Sequence, residues 1–135
     1  MNKVERMNRI NENALMYVNK FNACENAYAI LQLPIDVMYK FRDYEDVTTY
    51  LKREPDRTDY NVLYANKCMA LDNPTTKAIN EILEGIFIRF NCDIPIDYYG
   101  TSLSVSDVVV LKMNNVITAY YVDSFGFKKL ENFEF

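Results

Sequence analysis

The run from Val105 to Met113, VSDVVVLKM, leads directly into Asn114-Asn115 and then into Val116 to Val122, VITAYYV. Two β-prone segments joined by two residues that tolerate positive φ predict an antiparallel hairpin with a type I′ turn. This is the strongest strand signal in the chain. A two-stranded hairpin alone is marginal in water, so other segments must extend it and cover it.

Several segments suit that task. Tyr28 to Leu33, YAILQL, is a short apolar run that stops at Pro34, which cannot continue a ladder. Met38 to Phe41 suits a second short strand. Tyr60 to Ala65, YNVLYA, alternates as a half-buried strand. Phe127 to Phe133, beyond the Ser124-Phe125-Gly126 break, forms a last short strand or a packed tail.

Helical periodicity appears in three places. Thr75 or Thr76 can cap a helix over Lys77 to Phe90, where Ile79, Ile82, Leu83, Ile86, Phe87 and Phe90 fall on one dense stripe. Asp43 to Arg53 carries a plausible N-cap at Asp43 and an apolar face of Val47, Tyr50 and Leu51. The first 27 residues read as an amphipathic helix, with Val4, Met7, Ala14, Val18 and Phe21 spaced by three, four and seven and Ile10, Leu15 and Tyr17 widening the stripe. Asn11 falls on that stripe. The helix therefore either lies on its own domain or binds a partner, a homodimer included, because Asn at a seam can fix register.

The expected fold class is α+β. An antiparallel sheet of four or five strands packs on one main helix at Lys77–Phe90, with an N-terminal amphipathic helix. Residues 1–27 form the leader helix and residues 28–135 the α+β domain.

Composition narrows the function. The net charge is −4, and from Asn91 to Phe127 four acids (Asp93, Asp97, Asp107, Asp123) face one base, Lys112, for a net of −3. A binder of phosphate backbones needs a basic face, so no direct nucleic-acid contact is expected. An acidic face of this kind more readily meets the basic groove of a nucleic-acid enzyme. The start of the chain is interrupted by charges and amides, which does not fit a signal peptide. No run approaches the roughly 18 apolar residues of a membrane span. A cytoplasmic protein is expected.

Chemistry-bearing patterns are sparse. Histidine is absent, which removes the commonest general base and metal ligand. The three glycines, Gly85, Gly100 and Gly126, form no phosphate-binding loop. Cys24, Cys68 and Cys92 follow no metal or disulfide spacing and read as reduced, packed thiols. Asp107 and Asp123 can face each other across the hairpin and share acid–base work or a hard cation. Local hydrogen bonding to backbone amides is the stronger reading for both. No cofactor, metal or catalytic residue is expected.

The tyrosines carry more weight. The chain has 11, enough for a contact surface as well as a core. Tyr120 and Tyr121 must point to opposite faces of their strand. The outward one, with Tyr98 or Tyr99, can anchor a protein partner. The candidate partner-binding residues are thus Tyr98, Tyr99, Asp107, Tyr120, Tyr121 and Asp123.

SLSVSDVVVL at Ser102 to Leu111 and AYYVDSFGFKKL at Ala119 to Leu130 resemble the signature end of the YodL-like domain family. FIRFNCDIPIDYYG at Phe87 to Gly100 fits the same domain, and YAILQL and YNVLYA resemble its earlier strands more loosely. The resemblance spans roughly Tyr28 to Phe133. It implies a protein of conjugative transposons, phages and related mobile elements of Firmicutes, and it implies no enzymatic chemistry. By association, a small acidic member is expected to counter a host defence by binding a CRISPR effector or other host nuclease, as an anti-CRISPR or anti-restriction inhibitor. The alternatives are an accessory module of conjugation or plasmid maintenance that binds another element-encoded protein, and, last, an enzyme with an unrecognised carboxylate site.

Overall fold

The computed structural model describes residues 1–135 and is α+β. Three helices, α1 (Lys3–Ala23), α2 (Tyr44–Leu51) and α3 (Thr76–Cys92), accompany five strands. These are β1 (Ala27–Gln32), β2 (Asn61–Lys67), β3 (Val108–Met113), β4 (Val116–Val122) and β5 (Phe127–Lys129). They form one antiparallel sheet in the order β2-β1-β3-β4-β5. The β3–β4 hairpin turns on Asn114 (φ 50°) and Asn115 (φ 67°), as its sequence predicts.

Every residue of β1 and β3 is buried, so both faces of the central sheet are covered. Helix α3 covers one face. Its Phe90 ring sits 6.1 Å from that of Tyr28 and 5.5 Å from that of Tyr64, both edge-on. Helix α2 and the C-terminal tail cover the other. Val47 is fully buried, Tyr44 packs on Tyr121, and Phe133 packs on Tyr60. Burying each such side chain stabilises the fold by roughly 1.5–3 kcal/mol.

Helix α1 is docked, and it straddles the outer edge of β2. Tyr17 meets Tyr64 on the α3 face, while Phe21 meets Phe135 on the opposite one. The edge strand is thereby shielded from pairing with another chain. Its buried residues are Ile10, Tyr17 and Phe21, whereas Val4, Asn11 and Leu15 of the expected stripe are exposed. The Lys112 ammonium, on β3, holds the end of the helix, donating to the carbonyls of Phe21 (2.8 Å) and Cys24 (2.9 Å). At the other edge, β5 is only three residues long and bears exposed Lys128 and Lys129, both deterrents to edge pairing.

Two local expectations are corrected, and the chain end is a short strand followed by a packed tail. Strand β3 begins at Val108 rather than Val105, because Ser104 to Asp107 forms a turn closed by an Asp107 N–H bond to the Ser104 carbonyl and Ser106 has φ 87°. Met38 to Phe41 is no strand but a series of turns with Phe41 at φ 70°. Beyond Lys129 the chain leaves the sheet and continues as a packed tail, in which Leu130 is buried.

Candidate functional site

The residues of the Ser104–Asp107 turn converge on Gln32, at the end of β1. Asp107 is 1 % exposed. Its Oδ2 accepts from the Ser104 amide at 2.8 Å and from Gln32 Nε2 at 3.1 Å, while its Oδ1 is buried without a partner. Burial pushes this carboxyl up to about 7. The Ser104 amide, Lys40 and Gln32 pull the other way and do not overcome the loss of solvent. Gln32 is used at both ends, donating to the Thr101 carbonyl (2.9 Å) and accepting from the Thr101 amide (3.2 Å). The Tyr98 hydroxyl donates to the same Thr101 carbonyl at 2.8 Å, and that of Tyr60 donates to the Ser106 carbonyl at 2.8 Å. Burial raises both phenols well above their ordinary range.

This cluster braces the loop from Leu33 to Asp43. The Ser106 hydroxyl oxygen accepts from the Phe41 amide (2.9 Å), and the Tyr121 hydroxyl donates to the Arg42 carbonyl (2.6 Å). Asp123 Oδ1 accepts from the Tyr44 amide (3.1 Å) as α2 begins. The buried Lys40 ammonium donates to the Leu33 carbonyl at 2.7 Å and ties the two ends of the loop together. Holding Phe41 in the left-handed region costs about 1–2 kcal/mol, which these bonds offset.

The braced segment shows its apolar side chains to solvent. Ile35, Met38, Phe41 and Tyr50 are each more than half exposed. Met38, Tyr39 and Tyr50 line a shallow groove with Arg42, Glu45, Asp46 and Thr49. Asp36, Glu45 and Asp46 are exposed around it, and the Arg42–Asp46 pair is long at 3.9 Å and open to water. The groove is therefore apolar along Met38, Tyr39 and Tyr50, with Glu45 and Asp46 against the single base Arg42 beside them, a net charge of −1.

The expected contact residues divide. Tyr98, Asp107 and Tyr121 are buried and cannot be exposed anchors, because each spends its polar group on a backbone or side-chain partner inside the fold. Tyr99, Tyr120 and Asp123 are half-buried, and Asp123 serves the Tyr44 and Ser124 amides. Tyr120 and Tyr121 do face opposite ways, Tyr121 being the enclosed one. Asp107 and Asp123 act on separate partners and form no shared acid–base pair. No three acidic or thiol groups converge as a metal site would require. Cys92 is exposed rather than packed.

Gln32, Lys40 and the exposed Met38–Tyr50 face escape sequence reasoning. The available signal is an apolar run, IDVMYKF, wedged between Pro34 and the N-cap Asp43, too short to pair on both sides.

No curated protein and no solved structure matches the chain. No helix is long and apolar enough to cross a membrane. The family model of the YodL-like domain matches residues 27–133, which takes in every strand, α2, α3 and the whole braced cluster. The chain belongs to the YodL-like domain family.

Proposed function

We propose that this protein is a non-enzymatic protein-binding protein of a mobile genetic element, most concretely an anti-defence inhibitor that blocks a host nuclease complex such as a CRISPR effector. The carrying observation is the contact face built by the loop after β1 and by α2. Its exposed Met38 and Tyr50, which line one groove with Tyr39, are the kind of apolar patch that marks interaction sites. The groove's Glu45 and Asp46 outnumber its one base, Arg42, and that negative excess suits the basic groove in which a nuclease holds nucleic acid. The bracing beneath it lowers the ordering cost of binding. The signature residues then act as scaffold, and the contact is made by the segment they hold.

The test is direct. The purified protein should co-purify with an effector complex and suppress its DNA cleavage at near-stoichiometric amounts. Full cleavage by several effector types at saturating protein would defeat the reading.

A further inference from the structure

A second depression lies on the other side of the braced loop, between the first half of α1 and the ends of β1 and β2. It is a cleft of about 240 Å³. Its charged lining residues are Lys3, Arg6 and Lys40, and no Asp or Glu lines it. In a chain of net charge −4, that segregation is the reverse of the average surface. None of the three cations is spent on an ion pair, since the salt bridges of the molecule use only Arg42 and Arg53. Lys40 is 9 % exposed, donates to the Leu33 carbonyl, lies 5.0 Å from the centre of the Phe41 ring and feels the buried Asp107 carboxylate at a distance. None of these is a direct ion pair, so an anion placed in the cleft beside this buried ammonium gains a charge-assisted contact.

The remaining wall is mostly apolar surface, with Met7, Ile10, Leu33 and Ile35 among its residues, and the polar Gln32, Asn61 and Thr101 also line it. Water occupies about 30 Å³ per molecule in the liquid, so the cleft has the volume of about eight waters or of a comparably small organic molecule. We infer that this cleft is a binding site for a small amphipathic anion, a carboxylate or phosphate head on a short apolar body. The head meets Lys40 and Arg6, and the body lies against Met7, Ile10 and Leu33. The site does not depend on the protein-binding face.

Octanoate and phenyl phosphate are suitable probes, with octanol and inorganic phosphate as controls lacking the head or the body. Amide chemical shifts of the full chain should move at Leu33, Ile35, Gly100 and Thr101, with affinity in the millimolar range or tighter. Octanol and inorganic phosphate should bind at least tenfold more weakly. Comparing octanoate with phenyl phosphate tells which head the site prefers. Arg6→Gln, at an exposed position, should weaken the preferred probe several-fold without unfolding. Lys40→Met should weaken it at least tenfold, the loss expected for a charge-assisted hydrogen bond. The inference is overturned if neither probe shifts these amides at millimolar concentration, if octanol binds as well as octanoate, or if Arg6→Gln leaves binding unchanged.

Discussion

Replacing Asp107 by Asn removes one buried charge and keeps the shape around it. The amide oxygen can still accept from the Ser104 amide and from Gln32 Nε2, and the amide nitrogen takes the place of the unpartnered Oδ1. Burial raises the Asp107 carboxyl from 3.8 to about 7. Between those two values the folded chain therefore binds more protons at this site than the unfolded chain. The contribution is most favourable below pH 3.8, declines as pH rises, and levels off above about 7. At about 1.4 kcal/mol per pH unit, the ionised carboxylate opposes folding by about 4 kcal/mol at the upper end. The neighbours do not titrate in this window. Burial keeps the Tyr60, Tyr98 and Tyr121 phenols protonated, and Lys40, though lowered by burial, supplies the cation that favours the ionised form. Urea unfolding of both proteins from pH 4 to pH 8 isolates the effect, since every other group cancels in the difference. The Asn variant should gain on the wild type steadily as pH rises, by as much as about 4 kcal/mol overall. A difference that is constant with pH, or that shrinks as pH rises, refutes the reasoning.

The braced cluster and the docked helix make further expectations. Gly100→Ala places a Cβ 2.5 Å from the Tyr98 hydroxyl and 2.8 Å from Gln32 Oε1. It should cost about 1–3 kcal/mol in chemical denaturation, as overpacking does, and an unchanged midpoint would contradict the contact. Lys112→Met removes the ammonium that bridges the carbonyls of Phe21 and Cys24 and leaves the Phe21 carbonyl only the Cys24 N–H. Limited proteolysis should then cut first within α1, and unfolding should show a loss of about 2–3 kcal/mol. Ser106→Ala removes the acceptor for the Phe41 amide. Hydrogen exchange at that amide should quicken by about tenfold or more, a loss of about 1–2 kcal/mol, while exchange in β3 and β4 stays slow.

Local rules made much of the fold legible. The Asn114-Asn115 turn, the Asp43 cap of α2 and the Thr75 cap of α3 follow from short-range chemistry, and all three are present. What escaped depends on distant partners. Ser104 to Asp107 looks like the start of a strand, yet the Asp107 carboxylate turns inward to Gln32, 75 residues away in sequence, and bends the chain. Met38 to Phe41 has the composition of a strand, but Phe41 is held at positive φ by Ser106, which no local pattern announces. Alternation told that Tyr120 and Tyr121 diverge. It could not tell which is enclosed, because both faces of this sheet are covered. The same holds for α1, where the place across the β2 edge buries Ile10, Tyr17 and Phe21 of the stripe and leaves Val4 and Leu15 exposed. The candidate site suffered most. Tyr98, Asp107 and Tyr121 are individually conspicuous, but their role as braces shows only once the loop they hold is in view.

On the proposed function, the signature residues support a contact face on the loop after β1 and on α2. The double variant Met38→Glu, Tyr50→Glu tests it most directly, because both side chains are exposed and line the same groove. Surface changes of this kind alter stability by only about 0.5 kcal/mol, so the thermal midpoint should barely move. The measurement is inhibition of a nuclease effector by wild type and variant side by side, together with co-purification of each with the effector. Inhibitory potency should fall at least a hundredfold, the combined effect of two interface hot spots at about 2 kcal/mol or more each. Undiminished inhibition by a folded double variant would contradict it.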